Sequence, residues 1–160
     1  MKYVVMSDSH RDFEAMNELV GMQYDSTNAF IFLGDGEREY DDIKMLYDKG
    51  IYYGVRGNCD MGSMSKGTDV IILNGVKVMI THGDQYNVKY GIETAKTAAR
   101  AAKCKVLLFG HTHEPMLDYE DGLYIMNPGS LHRSSNGKKT YGVLEIKNGQ
   151  ILTNIASLPY

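Results

Sequence analysis

The sequence predicts an α/β fold. Three observations carry that expectation: short continuous apolar runs, helical apolar spacing between them, and polar residues gathered just after the runs. Residues 3–6, 29–33 and 51–55 are the first three runs. Each has the length of a strand and is apolar without alternation, the pattern of strands covered on both faces. Between the first two, Phe13, Met16, Leu19 and Val20 recur at helical spacing. Between the second and third, Ile43, Leu46 and Tyr47 share a helical face. Alternation of this kind predicts βαβ connections and parallel pairing.

The second half changes character. Residues 70–73 and 76–80 flank Asn74-Gly75, a dipeptide suited to a type I′ turn, so a hairpin is expected. An Ala-rich helix follows over about residues 91–103, then a strand at residues 106–109. Strands are expected at 123–126, 140–146 and 151–156, with Asn148-Gly149 turning between the last two. These elements read as a mixed sheet with an antiparallel part and helices on both sides.

At 160 residues the chain is expected to form one domain over 1–160. Its 43% hydrophobic and 23% charged residues are ordinary for a soluble globular protein. No apolar run approaches the ~20 residues of a membrane span. The start, MKYVVMSDSH, reaches Asp8 without a long apolar segment, so no signal peptide is expected. Two cysteines, Cys59 and Cys104, make no disulfide framework and favour a reducing cytoplasm. A net charge of −3, with its densest basic stretch confined to residues 133–139, argues against a nucleic-acid surface. Twelve tyrosines and ten methionines could line a homo-oligomer interface or fill cores.

The candidate functional residues sit where the runs end. Asp8 and His10 follow the first, Gly34 and Asp35 the second, and Asn58, Cys59 and Asp60 the third. His82 follows the run at 76–80, and His111 and His113 follow the one at 106–109. Open α/β sheets bind ligands beyond the carboxyl ends of their strands. Singly, each of these residues reads as a turn or cap. Together they form a set of imidazoles and carboxylates at one sheet edge. Such a set suits zinc, iron, manganese or nickel rather than calcium. Seven ligands exceed one tetrahedral ion and fit two ions sharing a carboxylate. Two divalent cations less two carboxylates leave about two positive charges, which attract a phosphate and activate a water between the metals.

The succession D-S-H (8–10), G-D (34–35), G-N-C-D (57–60), T-H-G (81–83) and G-H-T-H (110–113) resembles the calcineurin-like metallophosphoesterases. Order and spacing match their small single-domain YfcE- and Vps29-like branch, as does N-P-G-S at 127–130. The resemblance implies a four-layer α/β/β/α sandwich with mixed sheets and a dinuclear centre acting on a phosphate ester. It assigns Asp8, His10, Asp35 and His113 to one metal, and Asp35, Asn58, His82 and His111 to the other. Asp35 bridges, and Asp35, Asn58 and His82 also carry the chemistry. Manganese is the first expectation, with zinc, iron or nickel as alternatives. Gly110 and Gly83 are expected to let backbone approach the metals closely.

Cys59 stands where many relatives of the wider family carry a histidine that serves the leaving group. A thiol of pKa about 8.5 is a poor substitute acid. Cys59, Asp60 and Arg133 are the candidate substrate contacts. Glu37 reads as a surface residue, and N-P-G-S reads first as a turn and second as support for the metal loops. Two functions compete: a phosphodiesterase acting on small diesters, or a protein-interaction scaffold that keeps the fold. The complete ligand set favours the enzyme.

Overall fold

A computed structural model describes residues 1–159. In chain order the elements are β1 (Lys2–Met6), α1 (Phe13–Gln23), β2 (Ala29–Phe32), α2 (Glu37–Leu46), β3 (Tyr52–Gly54), β4 (Thr68–Leu73), β5 (Val76–Thr81), α3 (Glu93–Ala101), β6 (Val106–Phe109), β7 (Met116–Glu120), β8 (Leu123–Asn127), β9 (Thr140–Lys147) and β10 (Gln150–Ser157). They build two five-stranded sheets, ordered β10-β9-β1-β2-β3 and β4-β5-β6-β8-β7. Each sheet has three parallel strands, β1, β2 and β3 in one and β5, β6 and β8 in the other, with antiparallel strands outside them. The single mixed sheet expected from the apolar runs is thus two sheets. Run spacing cannot distinguish one wide sheet from two stacked ones, because both bury strands on two faces.

Side-chain alternation assembles the layers. Tyr3 and Val5 of β1 point between the sheets, together with Val78 and Ile80 of β5 and Val106 and Leu108 of β6. Their neighbours Val4 and Met6 point outward onto Met16, Leu19 and Val20 of α1 and Tyr40 and Ile43 of α2. Met79, Leu107 and Phe109 face Ala95 and Ala99 of α3. The result is the four-layer α/β/β/α sandwich, with the largest core between the sheets. The Asn74-Gly75 turn joins β4 to β5 with both residues at positive φ, 47° and 81°, as a type I′ hairpin requires.

Three details differ from expectation. The helix α2 buries Glu39, Tyr40 and Ile43, while Leu46 is exposed, because the helix ends there and its last turn clears the sheet. The helix α3 is shorter than the Ala-rich segment at both ends, being preceded by short 3-10 turns at Asp84–Tyr86 and Val88–Tyr90. The strand β7 carries no apolar signal, since all of it beyond Met116 is exposed at the sheet edge. No helix among the described residues is long and apolar enough to cross a membrane.

The intersheet layer should dominate stability. Leu108 is fully buried there, and Leu108→Ala should cost about 2–5 kcal/mol in urea denaturation. Ile72→Thr, on the exposed face of β4, should stay within about 0.5 kcal/mol of the parent.

Candidate metal centre

The carboxyl ends of the parallel strands from both sheets meet at one edge of the sandwich. There the chain turns sharply, and it does so through unusual backbone. Asp8, His10, Asp35, His111 and His113 all have positive φ, between 42° and 73°. The left-handed region is sparsely populated by residues other than glycine, and Asp and His tolerate it better than most. Backbone hydrogen bonds lock the turns together: the N–H of Asp8 donates to the Gly34 carbonyl at 2.9 Å, and that of His10 to the Asp35 carbonyl at 3.0 Å.

Two groups of side chains result. In the first, His113 Nε2 lies 3.1 Å from Asp8 Oδ1 and 3.1 Å from His10 Nε2, and His10 Nε2 is 3.5 Å from Asp8 Oδ1. In the second, His82 Nε2 lies 3.2 Å from Asp35 Oδ2 and 3.1 Å from His111 Nδ1. The groups adjoin: His10 Nε2 is 3.7 Å from Asp35 Oδ2, and His82 Nε2 is 4.0 Å from Asp8 Oδ1. Within Asp8–His10–His113, and within Asp35–His82–His111, the ligand atoms all lie within 4.8 Å of one another. Cys59 joins His10 and Asp35 in a third such group.

The chemistry of the donors fits a cation. His82 is fully buried, and its Nδ1 lies 2.7 Å from the Leu33 carbonyl oxygen. A carbonyl only accepts, so Nδ1 carries the proton and donates. In the neutral ring Nε2 is then a lone pair, aimed at a carboxylate and a second imidazole. Acceptors facing acceptors need a positive charge between them. The titration tendencies show the strength of the negative field: burial lowers His82, but the hydrogen bond to Asp35 and the charges of Asp8 and Asp35 outweigh it and draw the ring toward its protonated form. Burial pushes the carboxyl of Asp8 up, but hydrogen bonds from His10 and His113 prevail and hold it below the usual range. Asp35 is likewise raised by burial and brought lower overall by His82. Hydrogen bonding to Asp8 draws His10 toward its protonated form, whereas burial and the neighbouring His82 lower His111. Buried carboxylates held ionised among imidazoles make a field that a divalent cation satisfies.

Further residues hold these loops. Asn127, at the end of β8, donates from Nδ2 to the Gly110 carbonyl at 3.1 Å and to Thr112 Oγ1 at 2.9 Å, while its Oδ1 accepts from the Gly129 N–H. Ser130 Oγ donates to the Asp8 carbonyl at 2.8 Å. Both side chains are buried, so N-P-G-S supports the metal loops as well as forming a turn. Glu39, absent from the expected set, is buried and accepts from Ser9 Oγ at 2.7 Å and the Arg11 N–H at 2.8 Å. In the sequence it lies in the charged stretch EREYDD and carries no signal. Glu37, expected at the surface, binds the hydroxyls of Ser63 and Ser65 and anchors the loop after β3.

Asp60, expected beside the substrate, borders the cleft next to His10 and Cys59, and it is committed to the backbone. Its oxygens accept from the backbone N–H groups of Asp35, Gly36, Glu37 and Gly57 at 2.7–3.0 Å, which clamps the loops after β2 and β3 together. Asn58 is exposed on the same loop, with Nδ2 3.6 Å from Cys59 Sγ. Cys59 is exposed, and its N–H donates to Asp35 Oδ1 at 2.8 Å. Arg133 is exposed on the loop that hydrogen-bonds to Asp8 through the His132 N–H. Gly110 packs closely against the first loop, since a Cβ there would lie 2.1 Å from Ser7 Oγ and 2.9 Å from Asp8 Oδ2. At Gly83 a Cβ would meet Val88, and the position has a φ of 109°. An open cleft of about 570 Å³ runs from His10, Asp35 and Cys59 toward the start of α2.

Losing an outer-shell partner of a metal loop typically weakens metal affinity 10–100-fold. Asn127→Ala should therefore weaken divalent-metal binding by roughly that factor. Metal titration by calorimetry measures it, and unchanged affinity in a folded variant would remove Asn127 from this role.

Comparison with known proteins agrees with the geometry. The calcineurin-like phosphoesterase superfamily domain matches residues 1–149. A probable metallophosphoesterase of Mycoplasma pneumoniae is 28% identical over 155 residues, covering 94% of this chain and 92% of that protein. A predicted phosphoesterase of Streptococcus pneumoniae superposes with a TM-score of 0.84 at 25% identity, over 98% of this chain and 88% of the other. A Vps29 single mutant from Entamoeba histolytica superposes at 0.78 and 21% identity, over 99% of each chain, a likeness of fold alone. The two adjoining ligand groups at the sandwich edge lie within the matched residues, and this chain belongs to the calcineurin-like phosphoesterase superfamily.

Proposed function

We propose that the chain is a dinuclear metal-dependent phosphodiesterase. The observation that carries this is the adjacency of two ligand groups with Asp35 between them. Asp8, His10, Asp35 and His113 would hold one cation, and Asp35, Asn58, His82 and His111 the other. Asn58, now with its amide toward Cys59, would complete the second set if that amide rotated. Manganese is our first choice of metal. Bound there, two divalent cations would neutralise the phosphate and supply an activated water for in-line attack.

The chain's own residues do the rest. The Leu33 carbonyl keeps His82 in one tautomer and orientation. The Cys59 N–H fixes one oxygen of Asp35, leaving Oδ2 toward His82 and His10. The cleft beside His10 and Cys59 has room for the second ester group, which favours diesters. A scaffold needs no ligand set, so the convergence of six imidazole and carboxylate side chains weighs for the enzyme.

The first test is Asp35→Asn. It should lose metal from both positions and nearly all hydrolysis of a chromogenic diester. Parent metal stoichiometry in that variant would refute the bridging role.

The second concerns the leaving group. Burial, and then the Asp35 carboxylate, push the Cys59 thiol up, so it stays neutral and a weak acid. General acid catalysis typically contributes 10²–10⁴-fold. Aryl diesters, whose leaving oxygen needs little protonation, should turn over far faster than alkyl diesters. Cys59→His should raise the alkyl rate more than the aryl rate. A flat dependence of kcat/KM on leaving-group pKa, with chemistry rate-limiting, would place a competent acid elsewhere.

A further inference from the structure

The cleft beside the metal centre contains more recognition chemistry than a simple diester uses. Its lining includes His10, Asp35 and Cys59 of the site together with Arg11, Arg38 and Met61. Four carboxylates also border it, and each is engaged. Glu37 binds two serine hydroxyls, and Glu39 binds Ser9 and the Arg11 N–H. Asp41 pairs with Lys44 at 2.8 Å. Asp60 accepts from four backbone N–H groups, among them those opening α2, where the helix dipole further offsets its charge. The two arginines differ. Among the described residues neither guanidinium has a carboxylate partner, whereas Arg100 pairs with Glu120 at 3.3 Å. The cleft therefore holds two guanidinium groups free of carboxylate partners, beside carboxylates that are each already engaged elsewhere.

Position adds to this. Arg11 follows His10 directly and has φ of 72°, a conformation that glycine adopts without strain. The turn is pinned from behind by Glu39, so the arginine stands at the mouth of the site. Arg38 lies in the first turn of α2, is exposed, and lines the same cleft. A cleft of about 570 Å³ lies within the range of small-molecule sites, roughly 300–1,000 Å³.

We infer that this cleft selects phosphodiesters bearing a second phosphate, which Arg11 and Arg38 recognise. The inference rests on the phosphodiesterase reading and names its substrate class. Guanidinium groups bind phosphate through paired, charge-assisted N–H···O bonds. Met61, 89% exposed, offers an apolar lip for the body of such a substrate.

The test uses two esters with one leaving group: thymidine 5′-(p-nitrophenyl phosphate), with and without a 3′-phosphate. The manganese-loaded protein should prefer the 3′-phosphorylated ester by about fivefold or more in kcat/KM, the scale of partly screened ion pairs. The preference should shrink as salt rises from about 50 mM to 500 mM. In Arg11→Gln/Arg38→Gln the ratio of the two should fall toward one. Calorimetry supplies a readout independent of turnover: thymidine 3′,5′-bisphosphate should bind more tightly than thymidine 5′-phosphate, by a similar factor, and only with the arginines present. Equal binding of the two nucleotides, or a preference that survives the double substitution, overturns the inference even if both esters are hydrolysed. Failure to hydrolyse either ester, with an arginine-dependent binding preference intact, overturns the phosphodiesterase reading and leaves the cleft as a bisphosphate site.

Discussion

Everything at this edge depends on burying two ionised carboxylates. Asp8 is wholly enclosed and Asp35 nearly so. An isolated carboxylate in such surroundings would lose several kcal/mol of hydration, so each must be surrounded by donors or cations. The chain supplies the donors locally. Asp8 accepts from Ser7 Oγ, the His111 N–H and His113, and Asp35 from the Cys59 N–H. The imidazoles then sit where those donors leave gaps. The ligand groups are thus part of that solvation shell, and their donor set suits a divalent cation.

That demand explains the backbone. Strand ends naturally diverge from the sheet edge, and side chains on straight exits would point apart. Left-handed turns at Asp8, His10, Asp35, His111 and His113 fold them back toward a common point. Each such residue resists this conformation by about 1 kcal/mol or more. The turns persist because neighbours over-determine them: Glu39 holds the first loop, Asp60 the second and third, and Asn127 the last. Rigid sheets above and below give these clamps something fixed to pull against. Strain and clamp belong to one design, in which the core's packing is transmitted to the geometry of a few atoms.

Much of this was legible in the sequence, for a physical reason. Buried parallel strands announce themselves by length and continuous apolarity, and polar residues just past them mark the ligand-bearing edge. So β1, β2, β5 and β6, and the imidazoles and carboxylates that follow them, were placed from the residues alone. What escaped was long-range. Whether strands share a sheet is decided by which faces meet, and that Val5 and Val78 share one core leaves no local trace. Glu39 and Asp60 act through backbone N–H groups far along the chain, so composition shows them only as two acids among twenty. The exposed edge strand β7 lacks the periodicity that reveals a half-buried one.

The same division between core and edge bears on why one sandwich serves different ends. The three apolar layers are satisfied without reference to the ligands: none of the residues between the sheets is a donor to the site. A chain could lose its imidazoles and keep the fold, which is why likeness of fold to Vps29 and to a phosphoesterase is equally strong evidence for neither activity. The edge is different. Five strained residues in three loops, a histidine fixed in one tautomer, and several buried polar side chains devoted to loop position contribute little to packing. Features that resist folding and assist only a constellation of ligand atoms point to the constellation as their purpose. On that argument the site, rather than the sandwich, carries the case for chemistry in this chain.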